Sequence, residues 1–137
     1  MKRHTGQNLM VVLAVGVAVV SFAAAFTPTL LPLRQYHRQR NTLLYATESL
    51  PDIKLVICQP FVLTETSAVD ETWLEPFSAY QEVAAKISRE FDATWVPFQS
   101  AFDKALEQAP AKYWAQDGVH PSMAGAQLMA ETWLHSL

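Results

Sequence analysis

Apolar and polar residues alternate with a helical period over several stretches of this chain. Across residues 75–92, aromatic and aliphatic side chains recur at spacings of three and four, with charged side chains between them. This pattern predicts an amphipathic helix. Residues 123–137 show the same period and predict a final helix. Weaker patterns predict two further helices, over residues 34–50 and 99–108.

Two short apolar runs, residues 54–58 and 94–98, lie between the predicted helices and predict strands. The first run is continuously apolar after Lys54, which is typical of a strand covered on both faces of a sheet. Pro97 stands near the end of the second run, where a strand can spare a backbone donor. Alternating strands and helices predict an α/β fold with parallel strands and helices on both faces. The functional loops of such a sheet lie beyond the carboxyl ends of its strands.

Residues 1–33 form an apolar N-terminal segment that has three interpretations. No charged side chain occurs in residues 9–33, and the residues before them are basic. A signal peptide would use the three alanines at 23–25 as its cleavage site, whereas an uncleaved membrane anchor would span residues 9–26. Alternatively, the valine-rich residues 11–17 predict a buried parallel strand.

Composition narrows the class of protein. The chain has 137 residues and a formal net charge of −3, which allows one small domain. Apart from a few arginines between residues 34 and 40 there is no basic cluster, so we expect no nucleic-acid binding. The single cysteine, Cys58, excludes an internal disulfide. It lies in an apolar run, which predicts a buried and unreactive thiol.

The candidate chemistry lies in the loop before the final helix. Asp117 and His120 are close enough in sequence for the carboxylate to accept a hydrogen bond from one ring nitrogen, which leaves the other nitrogen as a general base. Gly118 permits a sharp turn between them. Pro121 disfavours helical dihedrals at the preceding residue, so Ser122 is the expected N-cap. From these residues alone, a surface turn with a capping aspartate and an incidental histidine is equally acceptable.

The sequence Asp-Gly-Val-His-Pro-Ser at 117–122, followed by Ala124, Gly125 and an amphipathic helix, resembles the last conserved block of the SGNH (GDSL-type) esterases and acyl hydrolases. Residues 51–61 are similar to the strand before that block in bacterial acetylesterase-like members. The resemblance covers residues 36–137. It implies that residues 34–137 are the C-terminal part of a flavodoxin-like three-layer sandwich with a short parallel sheet. The chain would supply its last two strands, or three if the valine-rich strand forms.

The resemblance also implies residues that this sequence lacks. The family's serine nucleophile belongs to a Gly-Asp-Ser block, and its oxyanion donors include the asparagine of Gly-x-Asn-Asp; neither block occurs here. Gly16-Val17-Ala18-Val19 stands in the place of the second. Ser21 lies near a predicted strand end and Ser122 beside the histidine, but neither has a nucleophile's context. The nucleophile is therefore unknown, while His120 and Asp117 are the candidate catalytic residues. The family requires neither a metal nor an organic cofactor.

By resemblance, the function is hydrolysis of an acyl ester, with a small-molecule or carbohydrate ester such as an acetylated sugar as substrate. Whether this chain is active by itself stays open, since it would be a truncated product or one half of a site completed by a complementing chain. The alternative is a non-catalytic interaction module, exported or tethered to a membrane through residues 9–26. The apolar segment predicts a secreted or membrane-anchored protein, or a cytoplasmic one if residues 9–17 form a sheet strand.

Overall fold

A computed structural model describes residues 10–13, 30–50 and 52–137, which form a sheet with helices on both faces. The strands are β1 (Met10–Leu13), β2 (Lys54–Cys58) and β3 (Thr94–Val96). The helices are α1 (Leu30–Ser49), α2 (Leu74–Glu90), α3 (Phe98–Ala105), α4 (Ala111–Trp114) and α5 (Met123–Ser136). One turn of 3₁₀ helix, Glu71–Trp73, precedes α2.

The three described strands are parallel and follow the order β1-β2-β3, so β2 is central. Met10 pairs with Lys54 at the start of β1, and Val56 pairs with Thr94 at the start of β3. Each connection between neighbouring strands contains a helix, as parallel pairing requires. The strand predicted over residues 54–58 is confirmed, with four of its five residues buried.

Alternate side chains of β2 enter two different cores, which explains its continuous apolar run. Leu55 and Ile57 pack with Leu43 of α1 and with Ala84 and Ile87 of α2. The intervening positions pack on the opposite face, against β3, the start of α3 and α5; this second core contains Val56, Cys58, Val96 and Phe98, with Met129 and Trp133 against it. The predicted three-layer arrangement is therefore confirmed for the described part of the chain.

The N-terminal segment contributes a short strand. Met10–Leu13 is extended and paired with β2, in agreement with the strand interpretation over those positions. Residues 14–29 lie outside the described residues, so the signal-peptide and membrane-anchor interpretations stay predictions, as does the localisation. Among the helices that the structure does describe, none combines the length and the apolar character needed to cross a membrane.

The first helix begins earlier than the sequence pattern predicted. We expected a start at residue 34, but α1 begins at Leu30 and includes Pro32 in its first turn. A proline is tolerated there, because the first amides of a helix have no intrahelical acceptor and the ring already fixes a helical φ. The hydroxyl of Tyr36 donates to the carboxylate of Glu90 at 2.7 Å, and Arg40 also contacts that carboxylate, which ties α1 to α2.

Smaller differences occur at the ends of the other elements. The second predicted strand, residues 94–98, ends at Val96, because Pro97 caps a helix that already starts at Phe98. That helix ends at Ala105 rather than at residue 108, and turns follow it. The four-residue helix α4 lies inside the stretch expected to be loop. A single helical turn is too short to produce a hydrophobic period, so the sequence pattern does not show it.

Candidate functional site

Asp117 and His120 lie together in the loop between α4 and α5. The ring nitrogen Nδ1 of His120 is 2.6 Å from Oδ2 of Asp117, within hydrogen-bonding distance. The predicted contact between the two side chains is therefore present. The imidazole is largely exposed, with 73% of its side-chain surface accessible, whereas the aspartate side chain is 34% accessible. The ring is thus held on one side and open to solvent on the other.

The second carboxylate oxygen of Asp117 organises the backbone of the turn. Oδ1 accepts hydrogen bonds from the amides of His120, at 2.8 Å, and of Val119, at 3.1 Å. Hydrogen bonds from the amide and from the ring of His120 lower the pKa of Asp117 from 3.8 to about 2, and the bond from the Val119 amide makes a smaller contribution. The carboxylate is therefore ionised near neutral pH, and Nδ1 must carry the hydrogen that the pair shares. A neutral His120 ring then has an unprotonated Nε2.

Gly118 allows the turn to fit against the rest of the molecule. Its φ is +91°, in the left-handed region, and it is buried. A Cβ at this position would lie 2.4 Å from the carbonyl oxygen of Leu63 and 2.5 Å from Oγ1 of Thr66. The amide of Leu63 donates to the carbonyl of Gly118 at 2.9 Å. The turn is therefore joined to the segment that follows the carboxyl end of β2.

Ser122 is the N-cap of α5, as predicted. Its hydroxyl accepts from the amide of Gly125 at 3.2 Å and donates to the carbonyl of Tyr113 at 2.7 Å. Its own amide donates to the carbonyl of Trp114 at 2.8 Å. The hydroxyl thus has two partners in the fold, and both are backbone groups. This arrangement fits a structural role and gives Ser122 no contact typical of a nucleophile.

A shallow depression of about 640 Å³ lies on the surface formed by α4 and the start of α5. Two exposed apolar side chains, Tyr113 and Met123, are at its border. Its lining residues are Tyr113, Ser122, Met123, Ala124, Ala126 and Gln127. These residues flank the Asp117–His120 turn in the sequence, and the depression offers a largely apolar surface.

Of the remaining candidate groups, the described ones do not add to this site. Ser21 lies outside the described residues, so its position is not assigned. Cys58 is buried and burial raises the pKa of its thiol, in agreement with the predicted unreactive cysteine. Within residues 30–50 and 52–137, together with β1, no group of three or more histidine, cysteine and acidic side chains is arranged to hold a metal ion.

Sequence reasoning missed the side chains that support the loop from other elements. Gln99 of α3 and Gln81 of α2 both bond to the segment after β2, which in turn contacts Gly118. No local motif marks either glutamine, because each acts on residues that are distant in sequence. A polar residue on the inner side of an otherwise amphipathic helix is the one signal that could have indicated them.

No family model and no curated protein matches the chain in sequence. Solved structures do match it. A protein from Parabacteroides merdae described as a GDSL-like lipase is 40% identical, with a TM-score of 0.75, over 77% of this chain and 49% of that one. The acetylxylan esterase Axe2 from Geobacillus stearothermophilus is 23% identical, with a TM-score of 0.64, over 78% of this chain and 47% of its own.

A third structure matches a larger share of this chain. LAE5, an alpha/beta hydrolase from the metagenome of Lake Arreo in Spain, is 19% identical with a TM-score of 0.68, and the match covers 93% of this chain and 58% of that one. At this identity the likeness concerns the fold. The chain thus spans about half the length of the structures that it matches.

The parallel sheet, the helices on both of its faces and these structural matches give the chain part of the fold of the SGNH (GDSL-type) esterases and acyl hydrolases. The predicted resemblance is therefore confirmed. The described residues form a partial flavodoxin-like sandwich that carries the Asp117–His120 turn.

Proposed function

We propose that this chain contributes the acid and base of a serine-type ester hydrolase site, with His120 as the general base and Asp117 as the group that orients it. The observation that carries this proposal is the 2.6 Å contact between Nδ1 of His120 and Oδ2 of Asp117. A base oriented by a third group is the arrangement that activates a hydroxyl nucleophile. Two of the Axe2 structures, described as catalytic mutants, replace a serine or an aspartate by alanine, which supports a catalytic role for an aspartate in this fold.

In each half of the proposed reaction, Nε2 of His120 accepts one proton and then returns it. Nε2 of His120 accepts the proton of the serine hydroxyl as its oxygen attacks the ester carbonyl, and the resulting imidazolium is stabilised by the Asp117 carboxylate. The ring then returns that proton to the departing alcohol, leaving an acyl-serine. In the second half of the reaction, the same nitrogen takes a proton from water as the water oxygen attacks the acyl carbon. The bond between that carbon and the serine oxygen then breaks, the ring returns the proton to the serine oxygen, and the acid leaves. His120 is open to solvent on the side opposite Asp117, as this exchange requires.

In this proposal the serine and the oxyanion donors are supplied by a complementing chain. The sequence contains neither Gly-Asp-Ser nor Gly-x-Asn-Asp, and Ser122 is occupied as an N-cap. The substrate is a small-molecule or carbohydrate ester. The acetylxylan esterase activity named for Axe2 favours an acetyl group on a sugar, and the exposed Tyr113 beside the depression offers a flat apolar surface for a sugar ring.

A chimeric enzyme tests the acid–base role directly. The part of the Parabacteroides merdae protein that this chain matches is replaced by the corresponding residues of this chain, and hydrolysis of p-nitrophenyl acetate is measured against the parent protein. We expect turnover from the chimera and none above background from this chain alone. His120→Ala should lower kcat/KM of the chimera by about 100-fold or more, the usual contribution of a general base.

His135→Ala is the matched control, because His135 is an exposed histidine that bonds to the carbonyl of Glu131 on α5. It should leave turnover unchanged. Full turnover in the His120→Ala chimera would exclude His120 as the base. A folded but inactive chimera would also contradict the proposal, and a non-catalytic interaction module would then be the better account of the chain.

A further inference from the structure

The segment that follows β2, residues 59–69, connects the central strand to the Asp117–His120 turn, and we refer to it as the β2-exit segment. It has no regular secondary structure, so its backbone groups need partners from elsewhere. The amide of Gln59 donates to the carbonyl of Val96 at 2.8 Å, which continues the pairing with β3 by one residue. Beyond that point, side chains from α2 and α3 hold the backbone.

Gln99, in the first turn of α3, is the centre of this support. Its amide oxygen accepts from the amide of Val62 at 2.9 Å, and its amide nitrogen donates to the carbonyl of the same residue at 3.2 Å. The oxygen also accepts from Nε2 of Gln81 at 3.1 Å, and the nitrogen donates to Asp103 at 2.8 Å. Gln81 in turn donates to the carbonyl of Pro60 at 2.9 Å. Both polar atoms of the Gln99 side chain are thus fully used.

The residue next to Val62 makes the connection to the site. The amide of Leu63 donates to the carbonyl of Gly118, and the carbonyl oxygen of Leu63 lies only 2.4 Å from where a Cβ of Gly118 would be. Further along the segment, Ser67 contacts the carbonyl of Gln116 through its hydroxyl at 3.3 Å. The β2-exit segment therefore fixes the residues on either side of Asp117, and a displacement of Val62 and Leu63 would be passed to the turn.

We propose that Gln99 is a positioning residue for the Asp117–His120 pair, acting through Val62, Leu63 and Gly118. Because Val62 is buried, the folded state is destabilised if its amide and carbonyl lose their hydrogen-bond partners. A glutamine side chain offers a donor and an acceptor side by side and matches both groups of one residue. Neither an apolar residue nor a carboxylate can do this. The consequence for hydrolysis rests on the function proposed above, whereas the effect on the geometry of the pair does not.

The test uses the whole chain and reads the pair itself by NMR. Two signals are followed: the proton on Nδ1 of His120, and the pH midpoint of the Asp117 carboxyl carbon. In Gln99→Leu we expect the Nδ1 proton signal to be lost through exchange with water, and the pKa of Asp117 to rise from about 2 toward 3.8, its value without these bonds. Gln99→Glu keeps an acceptor for the Val62 amide but removes the donor for its carbonyl, so we expect an intermediate rise.

Two comparison variants separate positioning from general stability. Gly118→Ala breaks the connection at its other end and should change both signals as Gln99→Leu does. Leu43→Ala removes a buried side chain from the core between α1, α2 and the sheet, so it should lower the melting temperature while leaving both signals unchanged.

Unchanged signals in folded Gln99→Leu would overturn the inference, and so would equal changes in Leu43→Ala. If Gln99→Leu does not fold, Gln99→Glu decides between the same two results. None of these measurements requires an ester substrate. An inactive chimera would therefore count against the proposed hydrolysis, while the NMR signals would still show whether Gln99 positions the pair.

Discussion

Gly125 lies directly against the carbonyl of Trp114, so that a Cβ on Gly125 would be 2.2 Å from that oxygen. The same oxygen accepts the amide of Ser122 at 2.8 Å. One backbone carbonyl at the end of α4 therefore fixes both the start of α5 and the closeness of the two helices. Since the Asp117–His120 turn connects these two helices, the distance between the helices limits the conformations that the turn can adopt.

Gly125→Ala should destabilise the protein. Alanine favours a helix over glycine by about 0.5–1 kcal/mol, but forcing a methyl group into a filled space typically costs about 1–3 kcal/mol. The second effect is the larger here, because the obstructing atom is backbone, and we expect a net loss of about 1–2 kcal/mol in urea unfolding. Gln127→Ala, at an exposed position of the same helix, should stay within about 0.5 kcal/mol. A more stable Gly125→Ala protein would contradict the close contact.

Ser122→Ala should reduce stability through the loss of the helix cap. The hydroxyl satisfies the Gly125 amide and the Tyr113 carbonyl, and removal of such a cap typically costs about 0.5–2 kcal/mol. Ser122→Thr keeps the hydroxyl and should recover most of the loss in thermal unfolding. Equal losses in the two variants would show that the hydroxyl is not what matters. In the chimera, Ser122→Ala should retain turnover. Loss of turnover without loss of stability would instead indicate that Ser122 is the nucleophile.

The stability that the Asp117 charge contributes should depend on pH in the acid range. Its folded pKa, about 2, is below the unfolded value near 3.8, so the folded state favours the ionised form. The contribution is fully present above the unfolded pKa and is lost as the pH falls through the folded pKa. Unfolding of the native protein and of Asp117→Asn, which keeps an acceptor oxygen, should be compared between pH 2 and 6.

The free-energy difference between these two proteins should be constant above about pH 5 and should shrink steadily from pH 4 to pH 2. Asp70 serves as the control, since its pKa is also lowered, by bonds to Thr72 that lie away from the histidine loop. The NMR signal of the proton on Nδ1 of His120 should change in Asp117→Asn and should stay unchanged in Asp70→Asn. A pH-independent difference for Asp117→Asn would mean that the carboxylate charge is not stabilised in the fold.

Phe102→Ala should have a large effect on stability. Phe102 is fully buried beneath α4, in a core with Leu63, Ala111 and Ala115, and its ring stacks on Phe61 at 4.2 Å between centroids. Truncation of a buried phenylalanine costs about 3–5 kcal/mol, a large share of the roughly 5–15 kcal/mol that stabilises a typical domain. Tyr45→Ala, an aromatic truncation at a position that is 74% exposed, should change the unfolding free energy by no more than about 0.5 kcal/mol.

The sequence predicted the parts of this molecule that depend on local pattern. Residues 54–58 were recognised because a strand covered on both faces is apolar at every position. The contact between Asp117 and His120 followed from their spacing and from the turn residue between them. The N-cap role of Ser122 followed from the proline before it.

The parts that the sequence did not predict depend on contacts between distant segments. The bond between Leu63 and Gly118 joins residues with three α-helices and a strand between them, and no local pattern encodes it. Gln99 looks like an ordinary surface glutamine until the β2-exit segment is placed beside it. The early start of α1 was missed because Pro32 was counted as part of an apolar segment instead of as a first-turn residue.

The central position of β2 has a consequence for how the chain folds. Both of its pairings join strands separated by a helical crossover, so neither can form before a long loop of chain has closed. Folding that depends on such distant contacts is slow. In the interval, Lys54–Cys58 presents apolar side chains on two faces and unpaired backbone on both sides, the features of a segment prone to intermolecular association. The continuous apolar run that made this strand recognisable thus also makes it the segment whose delayed burial would most favour aggregation.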